Sequence, residues 1–310
     1  MEIGIKFFKT IYDEDIIYHY TKASTAIDYI LNNNELLFRQ ARKSNDPIES
    51  KKADRRISYS GAEVDRVTTK QQFQDENELN SFVENMEERF HQICFCQNRM
   101  GEDFASENYI STFAGNEELF GFTKLRMWDQ YADNFSGVCI AFSKQKILSQ
   151  NSEKFELIES DVTYLSFQDL LMKKPGDIQA NHLAKIGKEK YKEQLEKSVK
   201  ESFFYKHVDY AGETEYRIGT LYDKEKCSFE IIRGEYFFDK SMKLDITGCV
   251  KAIFVSSFAN DRQKNDLLEF AKKYDVEIVE MDWQYNSFIP MDFKDLTEFM
   301  KDFQKDIERI

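Results

Sequence analysis

Glu213, Glu215 and Arg217 stand at alternate positions in the stretch GETEYRIG, Gly212 to Gly219. In an extended strand, residues two apart point the same way. Two carboxylates and a guanidinium would then share one face, with Thr214, Tyr216 and Ile218 on the other. Such a set can orient a sugar hydroxyl and stabilise a cationic transition state. It can equally be a solvated face on which Glu and Arg pair along the sheet, contributing little energy. A second polar pair, His19 and Thr21, closes the β-branched and aromatic run Ile16-Ile17-Tyr18-His19-Tyr20, which predicts a strand. A helix starting beside them would offer free N–H groups and a positive dipole end to a phosphate or another oxygen-rich ligand. Thr21 also serves as an ordinary N-cap, and a histidine at a strand end is often simply packed. Trp128 and Tyr131, three apart on a predicted helix face, could wall a base or nicotinamide ring. They could also just anchor that helix on a sheet.

Around these residues the sequence supplies a scaffold. Ala23, Ala26, Ile27, Ile30 and Leu31 form one face of a helix opened by Thr21. Asn32-Asn33-Asn34 ends it, and Leu36-Leu37-Phe38 starts a second strand. Asp46, Pro47 and Glu49 read as N-cap, N1 and N3 of a further helix, which with its turn accounts for Asn45 and Glu49. Gly61 to Asn77 reads as an exposed loop, and Leu79, Phe82, Val83, Met86 and Phe90 as an amphipathic helix. Ile93 to Cys96 predicts a buried strand, and Gly101 to Gly121 a lid or binding loop. Ser136-Gly137 makes a turn into a strand over Val138 to Phe142. A helix follows at Gly187 to Phe203, then a hairpin of Glu215 to Leu221 with Cys227 to Ile232. Val250 to Val255 and Val276 to Val279 are strands flanking a helix at Asp261 to Tyr274. Asp292 caps a closing helix with a stripe at Phe293, Leu296, Met300, Phe303 and Ile307. Strands and helices do not alternate strictly. The expected architecture is a single α+β domain over residues 1–310, with a central mixed, largely antiparallel sheet flanked by helices.

Composition narrows the function. The chain has 310 residues and a formal charge of -13, which disfavours a general nucleic-acid binder because phosphate backbones would be repelled. Met172 to Lys200, with eight Lys against four acids, is the one sizeable basic segment. It is a candidate docking face for an acidic partner, or simply a solvated helix face. The five cysteines, Cys94, Cys96, Cys139, Cys227 and Cys249, are odd in number and follow no signal peptide, which places the chain in the cytoplasm with reduced thiols. Neither the cysteines nor His19, His91, His182 and His207 have metal-ligand spacing, so no metal is expected. No apolar run approaches the roughly 20 residues needed to cross a membrane. There is no P-loop, G-x-G-x-x-G, G-x-S-x-G or H-E-x-x-H.

Along most of its length the chain resembles a bacterial family of unknown function, domain of unknown function 2971. The matching pieces are Tyr18-His19-Tyr20-Thr21, Ser44-Asn45-Asp46-Pro47-x-Glu49, Trp128-x-x-Tyr131 with Gly137, and Glu213-x-Glu215-x-Arg217. More remotely, the opening strand and helix resemble the NAD-binding start of ADP-ribosyltransferases. That resemblance implies NAD as substrate, His19 on a ribose of NAD, and Glu215, accompanied by Glu213, at the nicotinamide ribose. Tyr20, Thr21, Asn45, Trp128, Tyr131 and Arg217 would complete the binding site. Trp128 or Tyr131 would stack on the ring. Arg217 beside the acids departs from that pattern, as does the length between strands. The implied activity is transfer of ADP-ribose to a protein or nucleic-acid acceptor, or NAD glycohydrolysis, in a toxin or phage-defence effector. The alternative is a non-catalytic nucleotide-sensing or interaction domain. The enzyme reading requires that His19 and Glu215 face one another across a shared cleft.

Overall fold

A computed structural model describes residues 10–11, 15–44, 57–58, 70–99, 120–173, 178–222, 229–232, 235–238, 242–284 and 287–290. In chain order the strands begin with β1 (Ile16–Thr21), β2 (Glu35–Leu37), β3 (Arg39–Gln40), β4 (Ile57–Ser58), β5 (Phe90–Gln97) and β6 (Val138–Ser143). Next come β7 (Leu157–Asp161), β8 (Thr163–Leu165), β9 (Ile178–Gln179), β10 (Tyr205–His207), β11 (Glu215–Leu221) and β12 (Phe229–Ile232). The last are β13 (Glu235–Phe238), β14 (Lys243–Asp245), β15 (Val250–Ser256), β16 (Glu277–Gln284) and β17 (Ser287–Pro290). A nine-stranded sheet runs β17-β16-β15-β6-β1-β5-β11-β7, with β3 added to β5. Its pairings are antiparallel except β15 with β16. With helices packed on it, this is the expected α+β fold with a mixed, largely antiparallel sheet.

Both faces of the sheet are covered. On one, Ile17, Phe95, Ile140, Phe142 and Ile218 meet Ala23, Ala26 and Ile30, together with Leu267 and Phe270 of the helix Asp261–Tyr274. On the other, Tyr18, Tyr20, Cys96, Cys139 and Phe254 meet Phe122, Trp128 and Ala132. Burial on both sides explains why β6 and β15 read as nearly unbroken apolar runs and not as alternating ones. A third cluster joins Leu79, Val83 and Met86 of the helix Lys70–Arg89 to Tyr191, Leu195 and Val199 of Lys188–Ser202.

Several local expectations change. Thr21 is not an N-cap. It is the last residue of β1, paired with Val138, because the ladder to β6 continues through it. Lys22 takes the cap position without a side-chain bond, and the helix runs as a short α turn, Ala23–Thr25, into a π-helical turn, Ala26–Leu31. Residues 70–77 are helical and not loop, since the helix Lys70–Arg89 begins well before the apolar stripe that starts at Leu79. The expected hairpin is not formed. β11 lies between β5 and β7 with both edges paired, and β12 pairs with β13 instead. Asn45, the Pro47 helix and the helix after Asp292 lie outside the described residues, as does Gly101 to Gly121 apart from its last two residues.

The turn into β6 depends on Gly137. Asp133, Asn134 and Phe135 all have positive φ, at 55°, 52° and 64°, so the chain reverses tightly there. The Gly137 N–H closes the turn on the Ala132 carbonyl at 2.7 Å. A Cβ at Gly137 would strike the Thr21 carbonyl oxygen and lie 2.8 Å from two Ala132 backbone atoms. Backbone on two sides cannot yield as a side chain could. We therefore expect Gly137→Ala to lower the unfolding free energy by about 1–3 kcal/mol in urea titration, and a substitution without measurable cost would contradict this packing.

Candidate functional site

Strand register decides which predicted site residues can meet. Cys96 of β5 is paired with Tyr18 on one side and with Glu215 on the other, and Cys94 is paired with Arg217. Paired residues share a face. Tyr18, Tyr20, Cys94, Cys96, Glu215 and Arg217 therefore point one way, while His19, Thr21, Phe95 and Tyr216 point the other. The His19 ring sits edge-on against Phe95 at 5.7 Å, and its Nδ1 is 3.0 Å from the Cys94 carbonyl, to which it can donate. Burial, with Arg39 adding to it, lowers the imidazole pKa and keeps His19 neutral. His19 and Glu215 thus do not share a cleft. An odd offset across adjacent strands puts the sheet between them.

The acids and Arg217 do come together, although not on a solvated face. Glu213 ends a 3-10 turn, Val208–Glu213, and Thr214 takes a left-handed conformation at φ 43° before β11 begins. The Thr214 hydroxyl donates to the Gln97 carbonyl at 2.8 Å and fixes this kink to the end of β5. Glu213 is 2% exposed, Glu215 5% and Arg217 1%. Arg217 holds Glu215 with two bonds, Nε to Oε1 at 2.6 Å and Nη2 to Oε2 at 3.1 Å, and Nη1 donates to the Phe203 carbonyl at 2.7 Å. The fourth member is Lys206 of β10, whose ammonium donates to Glu213 Oε2 at 2.7 Å and Glu215 Oε2 at 3.0 Å. The Glu215 N–H donates to the Tyr164 hydroxyl at 2.8 Å.

These contacts set the charges. Burial alone would raise Glu215, but Arg217 first and Lys206 next overcome it and hold the carboxyl at about 2. Burial works against the ammonium of Lys206 too, yet Glu215 and Glu213 outweigh it and keep the group charged. Glu213 goes the other way. Burial raises its carboxyl, with Lys206 pulling back. Its Oε1 is buried without a hydrogen-bond partner.

Next to this set Cys94 and Tyr131 reach the surface. Cys94 is exposed although β5 is a central strand, and its thiol hydrogen-bonds the Glu215 carboxylate. Tyr131, the C-cap of the helix Leu125–Gln130, is 46% exposed. Burial and then the nearby Glu213 push its phenol up to about 12, so it stays neutral. Arg126 of the same helix reaches in, with Nε 3.8 Å from Glu213 Oε1 and Nη1 donating to the Asp209 carbonyl at 3.0 Å. The Tyr210 ring lies between two cations, 4.7 Å from Arg126 and 4.7 Å from Lys206.

The other expected residues divide. Trp128 is fully buried, donates from Nε1 to the Phe122 carbonyl at 2.8 Å and packs on Phe288 at 4.9 Å, so it anchors the helix and offers no stacking surface. Tyr20 faces the site side but is sealed in the core, its hydroxyl donating to the Gly121 carbonyl at 2.7 Å. Thr21 is buried on the His19 side. Sequence reasoning missed Lys206, Arg126, Tyr164, Tyr210 and Cys94. Only the period-two spacing of Cys94 and Cys96 could have flagged one of them. Among the described residues no group of three or more His, Cys, Asp or Glu is placed to hold a metal ion, and no helix is long and apolar enough to cross a membrane.

The class so defined is an α+β sheet protein with a buried cluster of two acids and two cations on one face of its main sheet. Residues 127–218 match the family described as protein of unknown function (DUF2971). That span carries Trp128, Tyr131, Gly137, Glu213, Glu215 and Arg217, and leaves Tyr18 to Thr21 and Ser44 to Glu49 outside it. No curated protein and no solved structure matches the chain.

Lys206→Met would strand two buried carboxylates. We expect it to cost about 3–5 kcal/mol at neutral pH, read by urea denaturation. Because the folded value of Glu215 lies below its ordinary 4.5, its contribution is complete above 4.5 and is lost as pH falls towards about 2. Glu213, raised in the fold, contributes in the opposite sense, favouring the folded state most at low pH and less as pH rises through its folded value. The acid limb of the stability profile should therefore flatten in Glu215→Gln. An unchanged limb would show that Glu215 is not held this way.

Proposed function

We propose that the chain is a ligand-binding domain for a nucleotide-like small molecule, taken up at the surface formed by Cys94, Arg126 and Tyr131. The observation that carries this reading is the unpartnered Oε1 of Glu213, buried beside a partly exposed guanidinium and a neutral phenol. A buried acceptor left empty costs free energy, on the order of 1–3 kcal/mol, until a donor reaches it. Tyr131 and Tyr210 supply aromatic surface for a ring, and Arg126 supplies donors. The four described cysteines carry free thiols, which supports the reducing cytoplasm as the compartment.

A second reading keeps NAD as substrate, for ADP-ribosyl transfer or glycohydrolysis, and it moves the chemistry. Glu215 is already committed to Arg217 and Lys206, so a developing ribosyl cation would meet Glu213, the carboxylate with a free oxygen. His19, on the far face, takes no part. A toxin or phage-defence role, and a protein or nucleic-acid acceptor, attach to this second reading alone.

Thermal denaturation with NAD and common nucleotides tests both. A nucleotide should raise the melting temperature. Tyr131→Ala should weaken binding about tenfold, and His19→Ala should leave affinity unchanged. Stabilisation without free nicotinamide supports the binding domain, and nicotinamide release from NAD supports the second reading. If no nucleotide shifts the melting temperature, both fail.

A further inference from the structure

We infer that the gap between Glu213 and Arg126 reads a flat donor–acceptor edge, the side of a base or carboxamide where an N–H stands beside a hydrogen-bond acceptor. This rests on the nucleotide-binding reading and specifies which part of the ligand is recognised. Glu213 Oε1 is an acceptor with no donor, while Oε2 of the same carboxylate is bound by Lys206. Arg126 Nε stands 3.8 Å from Oε1, beyond hydrogen-bond range, and makes only a long 3.3 Å bond to Gln130. The Arg126 Nη2 makes no hydrogen bond among the described residues, since Nη1 is the atom bound to Asp209. Nε and Nη2 form one side of the planar guanidinium fork. An acceptor and a guanidinium edge therefore lie side by side, ion-paired at 3.8 Å but not hydrogen-bonded to each other, with Nε held only by the long bond to Gln130.

Ligand chemistry follows from that order. A phosphate dianion would meet Glu213 as a like charge with no proton to give. A group with N–H next to C=O, or next to a ring nitrogen, satisfies both partners at once, the N–H donating to Oε1 and the acceptor receiving from Arg126. The guanidinium lies over the Tyr210 ring, 4.7 Å from its centroid, so a planar group and an aromatic ring stand beside Oε1 and suit a flat ring better than a puckered sugar. Oε1 has no exposed surface of its own, and the side chain of Arg126 is 41% exposed. Entry of the ligand moves Arg126 from its resting place and re-forms it on the ligand.

Calorimetric titration with guanosine monophosphate, nicotinamide mononucleotide and ribose 5-phosphate tests the inference, with Arg126→Ala beside the wild type. The expected result is that one or both base-bearing compounds bind at least about tenfold more tightly than ribose 5-phosphate. Arg126→Ala should abolish that preference in protein that circular dichroism shows to be folded. Guanosine monophosphate against nicotinamide mononucleotide tells a base edge from a carboxamide. Equal binding of ribose 5-phosphate, or a preference that survives Arg126→Ala, overturns the inference and leaves the nucleotide-binding reading standing. If none of the three binds, both fall.

Discussion

Two carboxylates and two cations withdrawn from water persist only as a set. Each ion costs several kcal/mol to bury, and the mutual attraction offsets this only when the geometry is close and the remaining protons and lone pairs are used. Arg217 meets that demand with four contacts shared among Glu215, Gln92 and the Phe203 carbonyl, and Lys206 bridges the acids. The surrounding structure is arranged to make the set possible. The left-handed Thr214 brings Glu213 back beside Glu215, and the parallel β10–β8 pair delivers Lys206 from outside the main sheet.

Against that satisfied network, one atom stands out. Glu213 Oε1 has no hydrogen bond, although every other oxygen of the two carboxylates has at least one. Arg126, partly exposed, lies 3.8 Å from that oxygen. Structural ion networks in protein interiors tend to close on themselves.

Much of the fold was legible from residue pattern. The stripe Leu79, Val83 and Met86, the stripe Tyr191, Leu195 and Val199, and the apolar runs of β6 and β15 declared their elements because burial of one face imposes a period that survives in sequence. The alignment of Glu215 with Arg217 was legible for the same reason, although its burial was not, and Glu213 joins them through the Thr214 kink and not through a strand. Strand pairing beyond a hairpin left no such trace. Nothing in Glu215 to Leu221 says that both its edges are occupied, since a backbone ladder is made by groups that every residue carries.

His19 shows the limit most clearly. Its own strand and its partners on that strand were read correctly, and period two told which neighbours share its face. Whether that face is the one Glu215 uses depends on an offset of a single residue across β5, and one step reverses the answer. The sequence by itself determined most element types, the apolar faces and the pairing of Glu215 with Arg217, because these follow from spacing within one segment. Only the tertiary structure decided that Lys206, Arg126 and Tyr131 join the acids while His19 turns away, because relative position between segments is set by register and packing, which no single segment encodes.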